Sequence, residues 1–298
     1  MLLYKYRTDS ERTEEIFKKK EVWFAKPETL NDPLECSIQD IAEKSIKECC
    51  EQEKQEQLEG FVLTYAMMPE HKLLWGLPKK EVKNVLEKMG KANGVDAKYR
   101  IYANFIKSRT GNYPSNPVLK YMYITDILKN VGIFSLSETC ESELMWGHYA
   151  DGGKGIAIGF DIQENSSLTN NSLCLKVNYT NEAVILKNRI KPTLAMAIGE
   201  NGNPLYFQAP AFDDPFLKEV MSTKNTTWEY EKEWRCVEQM PGLKTVIAPI
   251  AEVVFGIKCP QDIREKYIAL ADKYFQNSIS FFEIALDRRT FKRKILIK

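Results

Sequence analysis

The stretch Lys224–Glu238, K-N-T-T-W-E-Y-E-K-E-W-R-C-V-E, constrains this chain more than any other. Read as an extended strand, it puts Trp228, Tyr230, Lys232 and Trp234 on one parity. Glu229, Glu231, Glu233 and Arg235 fall on the other, because successive strand side chains point to opposite faces. Three carboxylates in line on one face repel one another. A fold keeps such a face where it is solvated, where cations pair with it, or where the carboxylates act on a ligand. The rest of the chain is therefore read for partners to this stretch.

The chain has 298 residues, 44% hydrophobic and 28% charged, which suits a globular protein with a sizeable core of one large domain or two. A net charge of +1 gives no bulk attraction to nucleic acid or to an anionic membrane. The N-terminus, M-L-L-Y-K-Y-R, lacks the apolar core of a signal peptide, and no run is long and apolar enough to span a bilayer. The seven cysteines contain no C-x-x-C pair, so neither a zinc ribbon nor a disulfide framework is expected, and a reducing cytoplasm is the simplest setting. With only His71 and His148, a His-rich metal site or a Ser-His-Asp triad has few ways to be built.

Along the chain, Leu2 to Tyr6 reads as a first strand. Thr8-Asp9-Ser10-Glu11 starts a helix to about Lys20, and Glu21 to Phe24 is a second strand. Asn31-Asp32-Pro33 favours a turn. Residues 38–130 change character to charged helical patterns broken by Gly and Pro, an all-helical insertion suited to docking a partner. Strands resume at Gly132 to Ser137 and Lys154 to Asp161, with a short helix at Glu141 to Tyr149 between them. A strand is expected near Ser172 to Tyr179, and helices at Ala183 to Ile198 and Phe212 to Met221. After the carboxylate stretch, Thr245 to Ile257 supplies strand, Pro260 to Phe275 helix and Ser278 to Leu286 a last strand. The expected fold is α+β, with a mixed, mainly antiparallel sheet core from residues 1–37 and 131–298 and a helical insertion over 38–130.

Several residues could work together. Arg7, at the end of an early strand, can bind a diphosphate by a bidentate fork. Ser135 and Ser137 lie two apart on a strand face, where small hydroxyls let a flat ring approach. Tyr4, Tyr6, Trp23 or Trp146 can stack on that ring. Glu231 and Glu233, as an E-x-E pair on a strand, lie about 7 Å apart on one face. One carboxylate can hold a ribose hydroxyl and stabilise an oxocarbenium-like centre, while the other orients or deprotonates the attacking group. Such a set is equipped to cleave the glycosidic bond of a nicotinamide dinucleotide. Each residue also has a plainer role: Arg7 a surface cation, the serines half-buried sheet residues, His148 a packed histidine.

Two resemblances add to this. The segments L-Y-K-Y-R (3–7), N-D-P-L-E (31–35), F-S-L-S-E (134–138), M-W-G-H-Y-A-D-G-G-K-G-I-A-I-G-F-D (145–161) and K-x3-W-x-Y-E-K-E-W-R (224–235) resemble the motif set of a widespread bacterial family known only as a domain of unknown function. They cover nearly the whole chain outside the insertion. The chain departs from the pattern at Gly153, where that family is expected to carry histidine. The order Arg, Ser-x-Ser, Glu-x-Glu also resembles the arginine–serine–glutamate signature of ADP-ribosyltransferases, with S-L-S in place of the usual S-T-S. That resemblance implies an ADP-ribosyltransferase-like core with NAD as substrate. Arg7 would contact the dinucleotide. Ser135 and Ser137 would shape the nicotinamide pocket, Glu233 would hold the nicotinamide ribose, and Glu231 would lie nearer the acceptor.

The functional expectation is an NAD-consuming enzyme, a transferase or a glycohydrolase, of the kind found in bacterial toxins and phage-defence effectors, acting on a protein or nucleic-acid acceptor or on water. The first alternative is a non-catalytic binding or sensor domain, in which the carboxylates join an ion-pair network with Arg7, Lys154 and Arg235. The second is a metal-dependent nuclease or hydrolase using Asp32, Glu35, Glu143, His148 and Asp151, although no D-x-D or H-x-H spacing supports it and no metal is expected.

Overall fold

The computed structural model describes residues 1–32, 36, 43–74, 76–111, 113, 114, 117–162, 173–182, 184, 192–198, 204–210, 212–245, 248–276 and 278–295. The chain divides into two compact units, one of residues 1–37, 127–182 and 218–298, the other of 38–126 and 183–217. The second unit is therefore drawn from two stretches, whereas the sequence pattern placed 183–217 with the core.

The first unit begins with β1 (Leu2–Arg7), helix α1 (Glu11–Lys18) and β2 (Glu21–Phe24). Ser10 caps α1 by accepting from the Thr13 backbone N–H at 3.3 Å, and Ile16 and Phe17 carry the buried face. The second unit holds α2 (Glu43–Met67), the two-residue strands β3 (Leu73–Leu74) and β4 (Leu77–Pro78), α3 (Lys79–Gly90) and α4 (Val95–Thr110). Leu58, Phe61, Leu74, Val82 and Met89 form its core, with the Phe61 ring against Tyr102 and Phe105.

Helix α5 (Pro117–Asn130) leads to β5 (Gly132–Ser137), α6 (Glu143–Tyr149) and β6 (Ile156–Asp161). Then come β7 (Leu173–Lys176), β8 (Asn178–Tyr179), and a hairpin of β9 (Pro192–Ile198) and β10 (Pro204–Pro210). The helix expected over Ala183 to Ile198 is corrected by this hairpin: residues 192–198 are strand. Residues 183 and 185–191 of that expected helix lie outside the described residues. The apolar run T-L-A-M-A-I suits either period, and the pairing partner at 204–210 decides it. The second unit is accordingly not all-helical.

Helix α7 (Pro215–Ser222), β11 (Thr223–Lys224), β12 (Glu233–Glu238), β13 (Gly242–Thr245), β14 (Ile250–Phe255), helix α8 (Gln261–Phe275), β15 (Ser280–Asp287) and β16 (Thr290–Ile295) complete the order. The fold is α+β. Among the described residues, eight strands form one sheet in the order β16-β15-β14-β6-β1-β5-β12-β7. Its pairings are antiparallel except β14 with β15, which are parallel and joined through α8. A parallel neighbour needs such a crossover, because a tight turn only returns a strand antiparallel.

The sheet is buried on both faces, and β6, I-A-I-G-F-D, accordingly reads as a near-continuous apolar run. Ile156, Ile158 and Phe160 of β6 join Leu3, Phe17, Phe134, Phe255 and Tyr267 on one side, where α1 and α8 pack. Ala157 and Val254 join Tyr4, Tyr6, Met145 and Trp146 on the other, beneath α6. Gly155 admits the close approach of β1 at this point. A Cβ there would lie 2.1 Å from the Arg7 carbonyl oxygen.

Candidate active site

Strand β1 pairs with β6 along its whole length but with β5 only at Tyr4–Ser137. Beyond that pair the sheet opens. The Ser135 carbonyl, without a β1 amide opposite it in the ladder, accepts instead from Lys5 Nζ at 2.8 Å. A cavity of about 130 Å³ lies here, wholly within the first unit. Its β1 and β5 walls are Tyr4, Lys5, Tyr6, Ser135, Leu136 and Ser137; Lys224, Glu231 and Glu233 close it from the carboxylate stretch. Thr29, Leu30, Asn31, Met145 and Tyr149 complete the lining.

The carboxylate stretch is not one strand. Thr226–Glu231 is a 3₁₀ helix, capped by the Asn225 side chain, which accepts from the Thr227 N–H at 2.9 Å. Lys232 takes a left-handed conformation, with φ 44°, and the strand begins only at Glu233. This corrects the parity reading: Trp228, Tyr230, Lys232 and Trp234 do not share a strand face. The physical reason is the Asn-Thr-Thr start, whose short polar side chains compete for the backbone and favour a cap over an extended chain.

The turn also brings Lys224 back to the pair. In an extended chain seven residues would separate Lys224 from Glu231 by about 23 Å. Here Lys224 Nζ donates to Glu231 Oε2 at 2.7 Å and to Glu233 Oε2 at 3.0 Å. Arg235 grips the other side of Glu233, with Nε 3.1 Å from Oε1 and Nη2 3.2 Å from Oε2, and donates through Nη1 to the Met221 carbonyl at 2.8 Å. All four groups are buried, Arg235 at 0% exposure and Lys224 at 6%.

The two carboxylates differ in surroundings. Burial pushes Glu233 up, but the charges of Arg235 and Lys224, with hydrogen bonds from Arg235 and Ser135, outweigh it and hold the carboxyl down to about 2. Glu231 accepts from the Tyr149 hydroxyl at 2.5 Å, and Asn31 Nδ2 donates to that hydroxyl at 2.7 Å. Burial and then the contact with Glu231 push the Tyr149 phenol well above its ordinary value. The backbone is fixed as well: Ser137 Oγ donates to the Glu231 carbonyl at 2.7 Å, and the Glu233 N–H donates to the Tyr179 hydroxyl at 2.7 Å. Lys5 is held down to about 7, first by burial and then by the Arg7 charge, against the pull of Glu233 and Glu231.

Glu231, Glu233, Tyr6, Ser135 and Ser137 line one cavity, but Glu231 ends the 3₁₀ helix and does not share a strand face with Glu233, which corrects the expected E-x-E pair. Two members do not line it. Trp146 is buried behind Tyr6, edge-on at 5.0 Å, with its Nε1 donating to the Cys140 carbonyl at 2.7 Å. Arg7 lines a second cavity of about 100 Å³ with Arg12, Glu15, Ile16, Glu21, Trp23 and Leu243. Its Nε is buried and has no hydrogen-bond partner among the described residues. Tyr4 and Tyr6 offer rings to the first cavity, since their hydroxyls are held elsewhere, by Glu252 with Arg293 and by the Thr139 carbonyl.

The sequence reading missed Lys5, Lys224 and Tyr149 as parts of the site. Lys224 was detectable only as a cation preceding an Asn-Thr-Thr cap. The alternative ion-pair network is corrected in its membership: Arg235 pairs with Glu233, but Lys154 is exposed and pairs with Asp151 at 3.5 Å. Among the described residues no three of His, Cys, Asp and Glu converge as a metal-binding group. His148 is exposed, with its ring 6.0 Å from that of Tyr230, and Glu35 lies outside the described residues. No helix among the described residues is long and apolar enough to cross a membrane.

Residues 145–236 run from α6 into β12 and carry Tyr149, Lys224, both carboxylates and Arg235. This segment matches a protein family of unknown function, DUF2971. The match covers roughly a third of the chain, and the motifs at 3–7, 31–35 and 134–138 fall outside it. No curated protein and no solved structure matches the chain.

Proposed function

We propose that the cavity between β1 and β5 is the active site of an enzyme that breaks the N-glycosidic bond of NAD, with transfer to an acceptor or to water. The observation that carries this reading is an ionised, rigidly held carboxylate, Glu233, on the wall of a ring-sized cavity beside Ser135 and Ser137. A cavity of about 130 Å³ compares with the roughly 150 Å³ that holds one benzene ring. A nicotinamide ring would sit between the rings of Tyr4 and Tyr6 and the β5 hydroxyl face.

In the reaction the C1′–N bond breaks, and its electron pair leaves with nicotinamide. Positive charge grows on the ribose, and the attacking oxygen bonds to C1′ as it gives up a proton. Glu233, already ionised and fixed by Arg235, accepts from a ribose hydroxyl and stabilises that charge without reorganising. A carboxylate with so low a pKa is a weak base, so the proton passes to Glu231, which Tyr149 and Lys224 orient. Arg7 stands two residues from Lys5 on β1, about 7 Å by strand rise, and would meet the diphosphate through the second cavity.

The test is release of nicotinamide from NAD by the purified chain, alone and with cell lysate, against Glu233→Gln. The expected outcome is release by the wild type and a loss of at least about a hundredfold in the variant, the scale of a removed charge-stabilising group. No release and no labelled acceptor, or full activity in the variant, refutes it. A second reading, a non-catalytic domain, is favoured by the two-point grip of Arg235 on Glu233, which a purely structural network would also require.

A further inference from the structure

Two cysteines lie outside the cavity, one on the strand that carries Glu233 and one on that strand's neighbour. Cys174 of β7 and Cys236 of β12 are directly opposite one another in the antiparallel ladder, with their sulfurs 3.3 Å apart. Opposite residues of such a ladder have Cα atoms about 4.5–5.5 Å apart, inside the roughly 4.4–6.8 Å that a disulfide spans. An S–S bond is about 2.05 Å, so closure asks the sulfurs to approach by little more than about 1 Å. The two thiols are not equivalent. Cys174 is half-buried on β7, the edge strand among the described residues, whereas Cys236 is fully buried.

We infer that Cys174 and Cys236 are an oxidation site, a dithiol that peroxide converts to an intramolecular cross-strand disulfide. The Cys174 thiolate attacks hydrogen peroxide and becomes a sulfenic acid, releasing hydroxide. The Cys236 sulfur then attacks the Cys174 sulfur; the S–S bond forms, the S–O bond breaks, and the Cys236 thiol proton leaves with the oxygen as water. Two electrons pass from the two sulfurs to one peroxide. The order of events follows from accessibility, and the thiols' acidities agree with it. The hydrogen bond from Cys236, against burial, holds the Cys174 thiol below its usual range, and that same contact together with burial pushes Cys236 well above it.

The bond would pin the segment that holds the carboxylate cluster. Beyond Lys176, the Val177 N–H donates to the Glu233 carbonyl at 3.0 Å, and Tyr179 accepts from the Glu233 N–H. Tyr179 pairs with Lys224 in the β8–β11 ladder, and the Thr180 N–H donates to the Lys224 carbonyl at 2.9 Å. Residues 173–180 therefore tie the backbones of Glu233 and Lys224 together, with Cys174 near one end.

The experiment treats the full chain with hydrogen peroxide, alkylates it under denaturing conditions, and maps the peptides by mass. The expected result is a Cys174–Cys236 cross-linked pair, two hydrogens lighter than the separate peptides and reopened by dithiothreitol. Cys140 and Cys259, whose thiols burial pushes up to about 11, remain alkylated. Cys236→Ala should instead leave Cys174 as a sulfenic acid trapped by dimedone. Wild-type mapping decides the matter even if that variant does not fold. A sulfinic acid at Cys174 with Cys236 still free, or no cross-link at all, overturns the inference. Amide exchange over 173–180 should slow on the order of tenfold on oxidation. Unchanged exchange with the bond formed removes the clamp while leaving the oxidation site.

Discussion

Replacing Lys224 by methionine tests the physical account of the site most directly. The side chain is 4% exposed and bridges two carboxylates at 2.7 and 3.0 Å. In the buried cluster two cations, Lys224 and Arg235, face two anions, Glu231 and Glu233. Methionine keeps an unbranched apolar stem but leaves an excess negative charge in a dry site. Removing one partner of a buried ion pair costs about 3–5 kcal/mol, because the remaining charge stays desolvated. Lys224→Met should lose that much. Glu231→Gln should lose a comparable amount, since it leaves an excess positive charge. The double variant restores the balance, so the two losses should fail to add by about 2–3 kcal/mol. The assay is urea unfolding at pH 7 followed by tryptophan emission. Trp228, whose ring centre is 5.0 Å from Lys224 Nζ, reports locally. Additive losses, or a single-variant cost below about 1 kcal/mol, would show that the cluster is not charge-coupled.

Other outcomes follow from the same contacts. Glu233 titrates near 2 in the folded chain and near its ordinary 4.5 when unfolded, so its contribution is present above pH 4.5 and lost as pH falls toward 2. That loss is roughly 3 kcal/mol, and acid unfolding of Glu233→Gln compared with wild type should lack it. Lys5 behaves oppositely: with a folded value of about 7 against 10.5, the unfolded chain holds more protons between those limits, and stability rises with pH there. The slope should reach about 1.4 kcal/mol per pH unit. It should vanish in Lys5→Met; an equal slope in that variant assigns the titration elsewhere. Gly155→Ala drives a Cβ to 2.1 Å from the Arg7 carbonyl oxygen and should cost about 3 kcal/mol in thermal or urea unfolding. A neutral result there would mean that β1 and the turn before β6 can separate.

Much of the fold was legible in local sequence. Gly132–Ser137 is the strand expected from G-I-F-S-L-S, and Gln261–Phe275 is the helix expected after Pro260. In both, the apolar period agrees with the tertiary burial. The reading failed where two local rules compete. Alternation in W-E-Y-E-K-E-W argued for a strand, yet the Asn225 cap and a left-handed Lys232 turn the first half into a 3₁₀ helix. In 192–198 a hydrophobic run without clear period became a hairpin strand through its partner.

From the sequence came the α+β class and the presence of carboxylates that needed partners. Only the tertiary structure decided which partners they have. Lys224 meets Glu233 because a tight turn folds back on its own strand, whereas Arg235 reaches it from two residues along β12. Lys5 meets Ser135 because β1 and β5 separate after a single pair. Charge pairing falls off over a few ångströms, whereas spacing along a chain leaves distances of tens of ångströms undecided. The turn at Lys232 and the parting of two strands therefore made the cavity, and neither has a periodic signature in the chain.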